Sequence, residues 1–586
     1  MEEKAQTTTE SSAAATALRQ GNGNGNGNGN GSGNSATPHR MRYLLVLAIS
    51  ALSLVGMVSV SGLLFMPTAQ SVTMSRLSQL VRGANDGGDR GAAAANAQLR
   101  GSMPSMLERR AAVKGAMQFI WTNYRERAFG ADEMTPITGL ARNPWGSIGC
   151  LILDSLDTMW IMGMRDEFAD AREWVATKLK FANMGDVSVF ETIIRALGGL
   201  LSAYDLSGDR VFLDKADDLA QRMAHAISPT TGRANYRFNS FTNHSYQPGS
   251  LAESGTYQLE YEYLAHATGK TEYSALARRF YPYIQSRKAI RLGGLYANQI
   301  HGGDGGPFHG DLVVSFGSNG DSFYEYLLKI WILRGEGGVD AQNDLMKQMY
   351  LEAMDGLETH LVQRSTTGRI YIADYDLRRR EPRPRMEHLA CFVPGLLALG
   401  AHRMRTSDPE TSTRHLNLAK NVMTTCFEAF YAAQPTGLAP EVLDGENLEV
   451  RNGGKHYILR PEVSESLYIL HQVTGDPMYQ EWGWRIFEAI NTHCRVDYAF
   501  AAYRDVRTPR EQQFFDPKRD VQGRKQWELS LHEDRMETFF AAETLKYLYL
   551  LMDPTNAAVS IDTHVFTTEA HPLSMFKKPR NTSSTP

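Results

Sequence analysis

Cysteine is scarce in this chain: four residues in 586, at positions 150, 391, 426 and 494. None forms a CxxC pair, and no zinc spacing is present, so a structural zinc site is excluded. One or two disulfides remain open to them if the compartment is oxidising. A basic excess is lacking too. The net charge is −4 and the sequence pI about 6.5, the wrong balance for a nucleic-acid surface. Strict repeats are also missing. Helical units recur, but at roughly 40 to 75 residues apart, too unevenly for a solenoid of identical repeats.

The N-terminus is rich in signals by comparison. Residues 1–42 are polar and include "GNGNGNGNGNGSGN", a composition that cannot bury a core and predicts a disordered tail. Tyr43 to Met66 then contains no charge at all, and about 20 such residues cross a bilayer. A cleaved signal peptide would have a shorter apolar core and would not follow a long tail. His39, Arg40 and Arg42 precede the span, and the next basic residue is Arg76. The positive-inside rule keeps the tail cytosolic and sends the rest into a lumen. This predicts a single-pass type II signal-anchor at 43–66 in a Golgi or endoplasmic reticulum membrane. Residues 67–107, rich in Ser, Gly, Ala and Asn, read as a flexible lumenal stem. Sequons at Asn243 and Asn581 fit that side of the membrane. The sequence ends "NTSSTP", without a retention tetrapeptide.

From residue 108 onward the text is overwhelmingly helical, and one arrangement recurs seven times. An apolar helix is followed by a short turn and a more charged, amphipathic helix. The openings are "GCLILDSLDTMWIMGM" (149–164), "FETIIRALGGLLSAYDLSGD" (190–209), "LAESGTYQLEYEYLAHATGK" (251–270), "GDSFYEYLLKIWILRG" (320–335), "MEHLACFVPGLLALGA" (386–401), "RPEVSESLYILHQVTGD" (460–476) and "METFFAAETLKYLYLLMD" (536–553). Three turns, Ser207-Gly208-Asp209, Thr268-Gly269-Lys270 and Thr474-Gly475-Asp476, offer glycine as a left-handed helix cap. Helices apolar nearly all round belong inside, and amphipathic ones outside. The pattern predicts an all-α toroid, an (αα)7 barrel spanning 108–574, completed by the helix at 109–130. Residues 575–586 read as a disordered tail.

Acids stand near the starts of these inner helices: Glu191, Glu253, Asp321, Glu462, Glu465 and, one turn in, Glu543. Any one alone is best read as a carboxylate favoured by the helix dipole, worth under about 1 kcal/mol. Together with Arg195, Arg460 and the aromatics of "DSFYEY", they form what a sugar site needs: paired acids for proton transfer and flat faces for pyranose rings.

The stretches "FETIIRALGGLLSAYDLSGD", "GDSFYEYLLK", "LRPEVSESLYIL", "ETLKYLYLL" and "VFTTEAHPL" closely resemble the class I α-mannosidases, glycoside hydrolase family 47, over about Arg109 to Leu573. The resemblance implies an (αα)7 barrel and an inverting, calcium-dependent exo-α-1,2-mannosidase that trims high-mannose N-glycans, with a monomeric catalytic domain. It implies Glu191 as general acid, with Asp321 and Glu462 as the other two catalytic carboxylates and Glu462 the favoured base. It implies Thr568 as the residue that binds Ca2+, through its carbonyl and hydroxyl oxygens. Glu253, Glu465, Glu543 and Glu569 would surround the ion's waters, and Phe539 would stack on the bound sugar. Arg195, His388 and Arg460 would line the pocket, although a hydrogen-bonded core histidine competes for His388. Taken alone, "TTEAHP" would be a turn with a capped end. Cys391 and Cys426 match the family's disulfide, leaving Cys150 and Cys494 free.

The chain departs from the family pattern at Ala131 in "GADEM", Glu387 in "MEHL", Thr538 in "ETFF" and Thr567 in "VFTTEAHP". None of these removes a catalytic oxygen. Asn319 replaces an arginine that grips the glycan branch in endoplasmic reticulum enzymes, which points to a Golgi-type enzyme with relaxed branch choice. The rival readings are an endoplasmic reticulum quality-control mannosidase-like protein, a non-catalytic glycan-binding toroid and a toroid acting on another polysaccharide. A pure binder has no need of three intact carboxylates.

Overall fold

Ser105 opens the first helix with a capping box: its hydroxyl accepts the Glu108 N–H while the Glu108 carboxylate accepts the Ser105 N–H. The computed structural model describes residues 104–576, except 301–311, 336–340, 511–520, 554 and 556–558. The expected tail, membrane anchor, nearly all of the stem and Asn581 lie outside the described residues. Among those described, no helix is long and apolar enough to cross a membrane.

In chain order the main helices are α1 (Met106–Arg127), α2 (Cys150–Ile161), α3 (Arg165–Thr177), α4 (Gly198–Ser207) and α5 (Arg210–Met223). Next come α6 (Gln258–Thr268), α7 (Thr271–Ala277), α8 (Asp321–Leu333), α9 (Ala341–Gly356) and α10 (Val393–Met404). The set ends with α11 (Pro409–Phe427), α12 (Glu462–Thr474), α13 (Met478–His493) and α14 (Leu545–Leu551). The apolar helices pack side by side in the order α2, α4, α6, α8, α10, α12, α14, and α14 returns to α2. They form a closed inner ring. In α8 every residue after Asp321 is buried. Each inner helix is backed by the helix that follows it, except that α14 packs against α1 from the other end of the domain. The helix expected at 109–130, found as α1 at Met106–Arg127, therefore supplies the seventh outer member. Gly208, Gly269 and Gly475 end α4, α6 and α12 in the left-handed conformation.

The ring is helical, but its connecting loops are not featureless. Short antiparallel pieces of two or three strands brace them, among them β1 (Asp186–Ser188), β2 (Asn235–Asn239) and β3 (His244–Pro248). Strands this short show no readable alternation in a sequence. A final hairpin, β4 (His564–Phe566) with β5 (Pro572–Ser574), fills the middle of the ring. It is bonded to α4 through Ser202 Oγ–H to the Pro572 carbonyl at 2.9 Å and to α8 through Thr568 N–H to the Tyr326 hydroxyl at 3.3 Å. Phe566 packs on Tyr468 of α12 and Tyr547 of α14. The described residues run on to Phe576, and the last two are held in place. The Met575 N–H donates to Thr563, the Phe576 N–H donates to Leu333, and the Phe576 ring stacks on His266. Cys391 and Cys426 form a disulfide with Cα atoms 5.9 Å apart, tying the entry of α10 to α11. Cys150 and Cys494 are free and buried.

Glycine at 199 is demanded by close approach. A Cβ there would stand 2.3 Å from the Leu153 carbonyl oxygen of α2. Gly199→Ala is expected to destabilise by about 1–3 kcal/mol through overpacking. Gly115→Ala, with nothing within 4 Å of an added Cβ, should instead gain about 0.5–1 kcal/mol. Urea unfolding midpoints measure both, and equal signs would refute the packing account.

Candidate active site

The residues at the starts of the inner helices converge on one cavity of about 380 Å³. Glu191, Arg195, Glu253, Asn319, Asp321, Arg460, Glu462, Phe539, Glu543, Thr568 and Glu569 all line it. Their sequence positions span more than half the described chain, and only the ring brings them together.

Local structure aims each one. Arg195 lies on a π-helical turn, Thr192–Leu197, and Glu543 on another, Phe540–Thr544. Such wide turns recur at functional sites. The Arg195 Nε–H donates to Glu191 Oε2 at 2.8 Å, and its other arm reaches Thr538 Oγ1 at 3.1 Å and the Glu569 carboxylate. Ser250 and Glu253 form a capping box, with the Ser250 N–H donating to Glu253 Oε2 at 2.6 Å. The helix-dipole reading of Glu253 therefore holds alongside its place in the cavity wall. Asn319 has φ +72°, and asparagine tolerates the left-handed region better than most residues. Asp321 opens α8 and accepts the Ser322 N–H at 2.8 Å. The Arg460 Nε–H donates to Glu441 at 2.6 Å, and its guanidinium stands 3.6 Å from Glu462.

Burial sets the proton affinities. Desolvation pushes Asp321 up to about 7 and Glu462 up to about 8, the latter despite the opposing charge of Arg460. Glu543 and Glu569 are also driven well above the usual carboxylate range, first by burial and then by neighbouring acids.

Two residues assigned to the pocket lie behind its wall. His388 is fully buried, its Nδ1 3.5 Å from Glu462 and its Nε2 3.1 Å from the Tyr431 hydroxyl. Burial, then the Arg460 charge, hold its pKa well below the ordinary value, so a neutral core histidine describes it. Glu465 lies almost a turn further along α12 than Glu462. There its carboxylate meets the Lys329 ammonium at 3.1 Å. Burial raises it to about 7 against that pairing.

The departures from pattern keep their working atoms. Thr538 Oγ1 bonds both Arg195 and Asp154. Glu387 accepts the Ser318 N–H at 2.8 Å, holding the loop before Asp321. Thr567 Oγ1 accepts the His571 N–H at 3.1 Å within the hairpin turn, so "TTEAHP" is a capped turn as well as a cavity wall. Beside Ala131, Asp132 accepts backbone N–H groups from Trp145, Ser147, Ile148 and Cys150.

Sequence reasoning missed Trp145, Arg535 and Glu537, which also line the cavity, and the buried ions beneath it. His571 bridges Asp157 at 2.9 Å and Asp154 at 3.4 Å, and Lys546 reaches Asp157 at 2.9 Å. Burial opposes a charge on His571, but the two aspartates outweigh it and hold its pKa above the ordinary value. A signal was available: two acids three apart inside the apolar text "CLILDSLDTMWI" must have buried partners.

Comparison with family profiles matches residues 116–575 to glycosyl hydrolase family 47. The chain belongs to that family. It is a family 47 glycoside hydrolase whose matched region contains every residue just named as lining the cavity. It is 39% identical over 481 residues to the mannosyl-oligosaccharide 1,2-alpha-mannosidase MNS1 of Arabidopsis thaliana, covering 80% of this chain and 79% of that protein. Against the mannosyl-oligosaccharide 1,2-alpha-mannosidase IB of Homo sapiens it is 37% identical over 497 residues, covering 81% and 72%. The solved alpha-1,2-mannosidase of Trichoderma reesei superposes with TM-score 0.68 at 27% identity, over 80% of this chain and 99% of that one.

The raised carboxylates make a pH prediction. Asp321 and Glu462 bind protons more tightly folded, at about 7 and 8, than at their ordinary 3.8 and 4.5. Above about pH 6.5 unfolded histidines are neutral. From there to about 8.5 the folded state gives up the extra protons it still carries, so stability should fall as pH rises, most steeply at the lower end of the window. The limiting slope is about 1.4 kcal/mol per pH unit per group. Denaturant unfolding in EDTA measures this, and Glu462→Gln should flatten the slope. A rise in stability over that window would refute it.

Proposed function

We propose that this family 47 hydrolase is an inverting exo-α-1,2-mannosidase that trims terminal α-1,2-linked mannoses from high-mannose N-glycans. The observation that supports it most is the meeting of Glu191, Asp321 and Glu462 with Phe539 and Thr568 around one cavity. The names of the relatives point to the same substrate class. Inversion needs a water between base and anomeric carbon, on the face opposite the leaving group. Glu462, in its ionised form, takes the proton of that water. Asp321, the third carboxylate of the set, is raised by burial to about 7. Glu191, whose carboxyl lies 2.8 Å from the Arg195 Nε, is the general acid and in its protonated form passes that proton to the leaving oxygen through an intervening water. Phe539 supplies an aromatic face for the sugar.

The donor set fits calcium. Thr568 makes no hydrogen bond through its carbonyl or hydroxyl among the described residues, and Glu543 is buried without a hydrogen bond or ion pair there. Among those residues no cluster of three His, Cys, Asp or Glu stands ready to ligate a metal. An ion taking the two Thr568 oxygens and several waters suits such a site. When bound it would supply positive charge and sites for sugar hydroxyls.

The reading extends to the whole chain: tail 1–42 cytosolic, anchor 43–66 in a Golgi or endoplasmic reticulum membrane, stem 67–107, and the ring in the lumen as a monomer. Asn319 in place of an arginine supports the Golgi type.

Incubating the full chain with a nine-mannose glycan, with and without EDTA, should show calcium-dependent loss of mannose, released first as the β-anomer by NMR. Glu462→Gln should lower turnover by about 10²–10⁴-fold while leaving glycan binding. Thr568→Ala should weaken calcium binding measured by calorimetry. Retained turnover in Glu462→Gln would sink the assignment of the base, and α-mannose as first product would sink inversion.

A further inference from the structure

The turn that joins β2 to β3 carries a motif that the cavity does not use. It reads Phe241-Thr242-Asn243-His244-Ser245, and its last three residues form an acceptor sequence for N-linked sugar, without proline at the centre. Phe241 to His244 are all exposed. Asn239 Oδ1 fixes the turn by accepting the N–H groups of Phe241 at 3.1 Å and Thr242 at 3.2 Å. Asn243 stands at φ +50°, which asparagine tolerates. Its side-chain amide has no hydrogen-bond partner among the described residues. A bulky group on that nitrogen would therefore displace no contact of the fold.

The same turn is apolar at its surface. Phe241 is 66% exposed, more than any other large hydrophobic side chain among the described residues, and Tyr236 and Tyr246 on the two strands are exposed as well. One edge of the Phe241 ring lies over Gly185, where an added Cβ would stand 3.7 Å from it. Apolar surface gathered in this way on one hairpin marks a place where something binds. Asn243 can supply the cover from within the chain. It is two residues from Phe241, so their Cα atoms lie within about 7 Å of each other. The C–H face of a first sugar on the amide can then rest on the aromatic ring.

We propose that Asn243 is an N-glycosylation site whose first N-acetylglucosamine packs on the Phe241 ring and caps the hairpin tip. In the transfer, Asn243 Nδ2 bonds to the anomeric carbon of a lipid-diphosphate-linked oligosaccharide. The sugar–phosphate bond breaks, Nδ2 loses one proton, and the lipid diphosphate leaves. The oligosaccharide turns an apolar tip into a solubilised one. The inference rests on the part of the reading above that places the ring in the lumen.

The test is the full chain made in a eukaryotic host, with its peptides mapped by mass spectrometry before and after peptide N-glycosidase. The Asn243 peptide should carry the glycan, Asn243→Gln should lose it and Ser245→Thr should keep it. Asn30, in the sequon Asn30-Gly31-Ser32 of the tail, should stay bare. A bare Asn243 in a ring that sealed microsomes shield from protease overturns this proposal alone. Glycan on Asn30 instead overturns the lumenal placement along with it. Phe241→Ala should keep the glycan and lower the Tm of the glycosylated chain by about 2 °C, with Phe241→Trp retaining it. The same loss in the Asn243→Gln background, or none in either, would overturn the packing of sugar on ring.

Discussion

A ring of seven helices has an axis, and something must fill it. Here the filler is the hairpin His564–Ser574, and the central bond is that of His571 to Asp157 and Asp154 on α2. The aspartates require a buried cation, and the hairpin brings one. A Cβ added at Gly198 would meet the His571 ring at 2.7 Å, so the glycine pair of α4 makes room for the imidazole. Lys546 of α14 then binds both Asp157 and the Ala570 carbonyl, closing the contact from the inner helix next to α2. Removing one member of such a network would leave an uncompensated buried charge, commonly a loss of about 3–5 kcal/mol. The turn that presents Thr568 and Glu569 is thus fixed by ions beneath it rather than by its own short strands.

The same electrostatics determine what the cavity can hold. Below it three cations, Arg195, His571 and Lys546, face four acids, Asp154, Asp157, Glu191 and Glu569. Glu543 adds a carboxyl with no bonded partner, and Glu253 another at the wall. Burial first, and neighbouring acids after it, keep protons on these carboxyls. A hard divalent cation would allow them to ionise, and oxygen is the only donor type that Thr568 and these acids offer.

How much of this was legible beforehand depends on the element. The seven inner helices announced themselves, because apolar text of helix length has one reading. The acids at their starts could be gathered into one site once the ring was inferred. Depth was harder to read. His388 stands one residue and Glu465 three residues from a cavity-lining neighbour, yet the helical rotation from Glu462 to Glu465 turns the latter toward Lys329. The π-turns that aim Arg195 and Glu543 leave no mark in the sequence, since one extra residue per turn changes no composition. Asp154 and Asp157 were visible as anomalies whose partners lay some four hundred residues away.

Asn319 shows how far the backbone decides which side chain stands in the cavity wall. Its left-handed backbone is dictated by the turn at Gly317–Asp321, where Gly320 has no room for a Cβ, which would meet the Ser315 carbonyl at 2.3 Å. An asparagine is favoured there by conformation alone. Yet its amide also stands in the wall between the active-site cavity and a neighbouring one of about 570 Å³, next to Glu253, whose own place is dictated by a helix cap. Backbone demands thus put two short polar side chains on the partition, and neither is long enough to close off the second cavity. Absence of a long side chain at this point leaves the two spaces joined.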